Sequence, residues 1–211
     1  MKASDIYFHA RLEDTIIAFT NGLYAEGALD LMTKEEMRDA LSSGQLKSKQ
    51  WLLDVFAEEL QQEIDNCELS TAVVVGGWVG FIAHALDAGD PLFTVDSLDL
   101  CGNATKVAAN TLAECKGRAI KGDMYDFDYS KYQCVINTSA EHISDMPSWI
   151  NLVTPGTFVV VQSNNARHVP DHVNCVDSSD ELTALLGLSA VFYADELVFP
   201  MYTRYMVIGR K

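Results

Sequence analysis

Two periodicities divide the chain. Up to about residue 66, apolar positions recur at helical spacing. Trp51, Leu52, Val55, Phe56, Leu60 and Ile64 form one stripe, which predicts an amphipathic helix from about Ser48. Thr33 with Glu36 three residues on is a capping box, opening a helix that runs through Leu41 and is ended by Gly44. An earlier helix is expected over 14–23. From Thr71 onward, short β-branched runs alternate with helical stretches. Strands are predicted over 72–75, 92–96, 118–121, 134–137 and 158–162, with helices over 80–88, 103–115, 147–153 and 180–186. Such alternation specifies a parallel sheet with right-handed crossovers and helices on both faces. The last two strand-like runs, 190–194 and 202–209, are joined by an acidic, proline-containing loop and read as an antiparallel pair. The expected class is α/β: a mostly parallel seven-stranded sheet, an antiparallel C-terminal hairpin, and an N-terminal helical extension. The expected division is 1–66 for the extension and 67–211 for the sheet domain.

The chemistry is concentrated where the first predicted strand meets its helix. Val73-Val74-Val75 stops at Gly76-Gly77-Trp78-Val79-Gly80, and the next strand ends in Asp96. Glycines let a ligand lie against backbone at the mouth of a parallel sheet, and an acid at the next strand tip can grip two ribose hydroxyls. The pair points to a nucleoside-bearing cofactor. A dinucleotide fingerprint spaces its glycines G-x-G-x-x-G so that a pyrophosphate sits on the helix N-terminus. Here Trp78 stands where the second glycine belongs, and an indole there obstructs a pyrophosphate. S-adenosyl-L-methionine (SAM) carries no phosphate, so the spacing favours it over a dinucleotide.

Composition sets the outer bounds. At 211 residues, with 48% hydrophobic and 21% charged positions, the chain suits one domain with an extension. No apolar run reaches the ~18 residues of a membrane span. The N-terminal Met1-Lys2-Ala3-Ser4-Asp5 lacks the apolar core of a signal peptide, which predicts a cytoplasmic protein. Cysteines 67, 101, 115, 134 and 175 are scattered and without C-x-x-C. They read as reduced, mostly buried thiols, with no disulfide framework and no metal site indicated. A net charge of −15 argues against duplex nucleic acid as a partner, and a small-molecule or other non-duplex acceptor is expected.

From about residue 70 to the C-terminus the chain resembles the class I SAM-dependent methyltransferases, whose sheet is Rossmann-like. The resemblance implies that Gly76, Gly77, Trp78 and Gly80 hold the amino-acid tail of the cofactor and that Asp96 binds its ribose. Gly122-Asp123 looks like the family's contact to the adenine amine, with Met124 packing on the ring. Cys134-Val135-Ile136-Asn137 and its exit through Glu141-His142 resemble the fourth-strand motif, placing Asn137 beside the cofactor. Leu152-Val153-Thr154-Pro155-Gly156 resembles the turn into strand five. The chain departs from the family where Val74 or Val75 stands for an acidic residue and Trp78 for the central glycine. Asn137 is followed by Thr138-Ser139-Ala140 and not by the Pro-Pro-aromatic of base-methylating enzymes.

The resemblance implies O- or N-methyl transfer, with acceptor chemistry at the carboxyl ends of strands four and five. His142 is the candidate base, since an imidazole titrates near neutrality, and Glu141 or Asp145 would orient it or bind a cationic substrate. Each residue also has a plainer role. Asp96 can cap a helix, with Asp99 taking over the ribose; Asp123 can belong to a solvated acidic loop; Trp78 can be a packing residue. Tyr202 and Arg204 can line a substrate pocket or shield a sheet edge. Two further functions stay open: aminocarboxypropyl transfer from or cleavage of the same cofactor, and a non-catalytic binding module on this fold. The N-terminal helices either cover the cleft or assemble a homo-oligomer.

Overall fold

The computed structural model describes residues 3–25, 27–66 and 68–211, and side chains from residue 12 onward. Met1, Lys2 and Cys67, which figure in the expectations above, lie outside the described residues. The chain divides into two compact units, Met1–Met124 and Tyr125–Lys211.

The first unit contains helices α1 (Ala3–Leu23), α2 (Lys34–Ala40) and α3 (Ser43–Asp65), then β1 (Thr71–Val75), α4 (Phe81–Asp87), β2 (Thr94–Asp99), α5 (Gly102–Thr111) and β3 (Ala119–Lys121). Its strands run in the order β3-β2-β1, all parallel. The capping box forms as expected: the Thr33 hydroxyl accepts from the Glu36 amide at 3.1 Å, and the Glu36 carboxylate accepts from the Thr33 amide at 2.7 Å. Gly44 does not end α2. It lies in the first turn of α3, which starts at Ser43 because the Ser42 hydroxyl caps it by accepting from the Gln45 amide. Phe19, Leu23, Met32, Ala40, Val79, Phe81 and Val107 share one buried cluster, so the N-terminal helices build core with the glycine loop and α5.

The second unit contains β4 (Cys134–Asn137), a single 3-10 turn at Ala140–His142, α6 (Met146–Ile150), β5 (Phe158–Asn164), α7 (Ser179–Leu186), β6 (Ala190–Val198) and β7 (Thr203–Arg210). The strands run β4-β5-β7-β6, with β4 and β5 parallel and β7 antiparallel to both its neighbours. Among the described residues the chain therefore carries seven strands, mostly parallel, with helices between them and an antiparallel C-terminal hairpin, as the hydropathy pattern predicts. β5 is buried at every position, the signature of a strand covered on both faces.

Two sequence expectations are corrected by local geometry. β2 does not stop at Asp96. Ser97, Leu98 and Asp99 continue the ladder, paired with Val74 and Val75 of β1 on one side and with β3 on the other. Among the described residues the thiols are not mostly buried: Cys134 is buried, Cys115 and Cys175 are half-buried and Cys101 is exposed, all free. No described helix is long and apolar enough to cross a membrane.

His84 on α4 is buried, its Nδ1 2.9 Å from the Thr15 hydroxyl of α1. Burial lowers its pKa, partly opposed by Asp14, Asp87 and Glu114. The folded chain then binds fewer protons than the unfolded one. Stability from His84 is complete above the ordinary imidazole value of 6.5 and is lost as pH falls through it toward the lower folded value. Chemical denaturation between pH 8 and about 5 is expected to show this loss, and His84→Gln to flatten it. An unchanged slope in the variant would assign the loss to other groups.

Candidate functional site

The tips of β1 and β2 form the first cluster. Gly76 has φ 63° and Gly80 φ 83°, both left-handed, and Gly80 also meets α5, where an added Cβ would lie 3.2 Å from the Ala108 Cβ. Gly77 is demanded by space, since a Cβ there would fall 2.1 Å from the Ser97 hydroxyl. Trp78 adopts φ 47°, a left-handed conformation that costs an ordinary residue about 1–2 kcal/mol. Its indole packs against the cluster formed by the N-terminal helices, which offsets that cost.

Asp99 holds this loop in place. Its Oδ2 accepts from the Trp78 amide at 2.9 Å and its Oδ1 from the Cys101 amide at 2.8 Å, tying the glycine loop to the start of α5. A carboxylate has about four acceptor positions, so each oxygen keeps one for a ligand. Leu100, immediately beyond the tip, is 68% exposed, and the Gly122 amide donates to the Asp99 carbonyl at 3.0 Å, bringing Asp123 and Met124 to the same tip. Asp96 lies elsewhere. It sits opposite Val73 in mid-strand, accepting from the Arg118 amide at 2.9 Å, with the Arg118 Nε 3.9 Å from its other oxygen. Beside the loop is a cleft of about 440 Å³ lined by Asp30, Met32 and Glu36 from the N-terminal segment, by Trp78, by Cys101 just before α5 and by Asn103 within it. That volume falls within the range of small-molecule sites.

The second cluster lies at the exit of β4. Asn137 is buried and its Oδ1 accepts from the Ser139 amide at 2.9 Å, turning the chain into the 3-10 turn that carries Glu141 and His142. Glu141 is 3% exposed. Its Oε1 accepts from Asn164 Nδ2 at 2.6 Å and lies 3.6 Å from the Arg204 guanidinium. Arg204 is itself buried and donates to the Thr138 carbonyl at 3.1 Å. It therefore neither lines an open pocket nor shields an edge, because β7 is an interior strand of its unit. His142 is exposed, with Nδ1 3.1 Å from the Asp171 carbonyl, so Nδ1 carries the proton and Nε2 the lone pair. Its ring meets His172 edge-to-face, centroids 4.7 Å apart. Burial lowers the His172 pKa, opposed by Glu141. Asp145 caps α6 by accepting from the Ser148 amide at 3.1 Å, away from an orienting role on His142. His172, Asn164 and Asp171 were not singled out in the sequence.

No protein-family model and no curated protein sequence matches the chain, whereas solved structures do. It is similar to the N-methyltransferase NodS from Bradyrhizobium japonicum in complex with S-adenosylhomocysteine, at 12% identity and TM-score 0.64, over 86% of this chain and 94% of that one. Magnesium protoporphyrin IX methyltransferase (ChlM) from Synechocystis, also with bound S-adenosylhomocysteine, gives 13% identity and TM-score 0.62, over 93% and 99%. The [4+2]-cyclase SpnF gives 11% identity and TM-score 0.63, over 82% and 84%. The chain has the class I methyltransferase fold.

Proposed function

We propose that the chain is a SAM-dependent methyltransferase acting on the oxygen or nitrogen of a small molecule. The observation that carries this reading is Asp99: a strand-tip carboxylate that joins the glycine loop to α5 and retains acceptor capacity for a vicinal diol. Solved relatives of the fold with bound S-adenosylhomocysteine support it. In this reading Gly76, Gly77, Trp78 and Gly80 hold the amino-acid tail, Asp99 the ribose in place of Asp96, and Leu100, Asp123 and Met124 the adenine. Asn137 sets the backbone turn that presents the acceptor residues. The N-terminal segment of 1–66 walls the cleft through Met32 and Glu36. A cytoplasmic, reducing location suits the free thiols of the described residues.

When bound, SAM supplies a methyl group already activated on a sulfonium. What remains for the protein is positioning, exclusion of water, and removal of the acceptor's proton. Nε2 of His142 carries the lone pair for that step, with Nδ1–H held on the Asp171 carbonyl. Glu141 keeps the 3-10 turn in place through Asn164 and Arg204.

Asp99→Ala is expected to weaken SAM binding at least tenfold, because each hydrogen bond to a charged group contributes about 1.5–3 kcal/mol. Asp96→Ala is expected to change it by less than about threefold, its carboxylate being engaged with Arg118. Calorimetry on both variants, with melting curves to verify folding, checks this; the reverse order would return the ribose to Asp96. A second reading is favoured by Trp78 at the central glycine position and by the cyclase SpnF on the same fold: the cofactor serves another reaction. Product analysis separates the two, since methyl transfer yields S-adenosylhomocysteine and aminocarboxypropyl transfer yields methylthioadenosine.

A further inference from the structure

Glu141, His142 and His172 each bring one donor atom within 4.8 Å of the other two. Two of these groups carry a buried polar atom with no hydrogen-bond partner, Glu141 Oε2 and His172 Nδ1. Leaving such atoms unsatisfied costs about 1–3 kcal/mol each, so a protein core retains them for a reason. The segment carrying His172 is deliberately fixed. The amides of Val173 and Asn174 both donate to the Glu141 carbonyl at 2.9 Å, and Asp171 is held at φ 70° so that its carbonyl accepts from His142. Left-handed backbone at a residue other than glycine concentrates at functional sites.

We propose that Glu141, His142 and His172 bind one divalent first-row transition metal ion. The supporting groups are those a metal site needs. A ligating histidine donates its other ring N–H to a carbonyl or carboxylate, as His142 does to Asp171. The Oε1 of Glu141 is fixed by Asn164 and Arg204, leaving Oε2 for the ion. Two imidazoles on one ion at about 2.0–2.1 Å, subtending roughly 90–110°, have centroids about 4.5–5.2 Å apart. The observed separation is 4.7 Å. Closing the donor atoms to the spacing of a bound ion requires a shift of about 1–1.5 Å, which small torsional adjustments of the exposed His142 can supply with Nδ1 kept on the Asp171 carbonyl. Two imidazoles and one carboxylate select zinc, cobalt or iron over magnesium or calcium, and leave positions open for water or an acceptor oxygen.

This inference stands without the methyl-transfer reading, although it deepens it. An ion at these residues would lower the acceptor's proton affinity as a Lewis acid, making His142 a ligand and sending the proton to solvent. The test is calorimetric titration of the EDTA-treated full chain with Zn²⁺, and visible spectra with Co²⁺. One equivalent is expected, with no competition from excess Mg²⁺. His172→Ala and His142→Ala should each weaken binding at least tenfold, while His168→Ala, on the same exposed segment, should leave it unchanged. Melting curves in metal-free buffer verify that the variants fold. Absence of binding to the folded wild type, or unchanged affinity in both His172→Ala and His142→Ala, would overturn the site whether or not the chain transfers methyl groups. If metal binding is found and turnover is insensitive to EDTA, the ion is present and the acceptor is activated by other means.

Discussion

His142→Ala is expected to lower methyl-transfer turnover by about 10²–10⁴, the range that a positioned acid–base group contributes. SAM affinity should stay within about twofold of wild type, because in this reading His142 faces the acceptor whereas Asp99 and the glycine loop hold the cofactor. The side chain is exposed, so its removal leaves no cavity and the variant should fold. Single-turnover kinetics with a competent acceptor, together with a separate binding titration, resolve the two quantities. Wild-type turnover would remove His142 from the chemistry. A loss of SAM affinity equal to the loss of turnover would make it part of the cofactor pocket. His172→Ala refines the result: a metal ligand should fall with His142 in turnover, whereas a bystander to a simple base should not.

The second large effect concerns Glu141. Its carboxylate is 3% exposed and is the acidic partner of Arg204, which is 7% exposed. Glu141→Ala leaves that guanidinium buried and Asn164 Nδ2 without its acceptor. Breaking one side of a buried pair costs about 3–5 kcal/mol, because the remaining charge is uncompensated. Denaturant titration in metal-free buffer should show that loss. The paired change Glu141→Leu with Arg204→Met should recover much of it, as apolar replacement of a whole buried pair is often neutral. A loss below about 1 kcal/mol in the single variant would mean that the pair is solvated.

The features most legible in the sequence were those set by neighbouring residues. β4 coincides with its predicted bounds because Cys134 to Asn137 is a short, buried run. The capping box at Thr33 forms because both its hydrogen bonds are local. The sequence pattern ends β2 at Asp96, yet in the fold Ser97 is buried beneath Gly77, and the ladders to β1 through Leu98 and to β3 through Asp99 carry the strand on. Tertiary pairing overrode local composition, and the strand-tip acid moved by three residues with it. Trp78 signalled a departure from the family but gave no hint that it keeps a left-handed backbone.

The second cluster was only half visible. Glu141 and His142 are adjacent in sequence, whereas Asn164, His172 and Arg204 reach them from β5, the loop after it and β7. Nothing in hydropathy pairs residues thirty or sixty positions apart. Arg204 in particular reads as a surface residue on an alternating strand, and only the carboxylate it meets explains its burial. A metal site was not indicated because the cysteines carried no ligand spacing, while the histidines are brought together by two backbone amides on the Glu141 carbonyl.

The central claim is that the Asp99 tip binds SAM. Calorimetric titration of the folded full chain with SAM and with S-adenosylhomocysteine tests it most directly. The account predicts one site for each ligand, weakened at least tenfold in Asp99→Ala. A folded chain that binds neither would contradict it and leave the fold as a scaffold for other work.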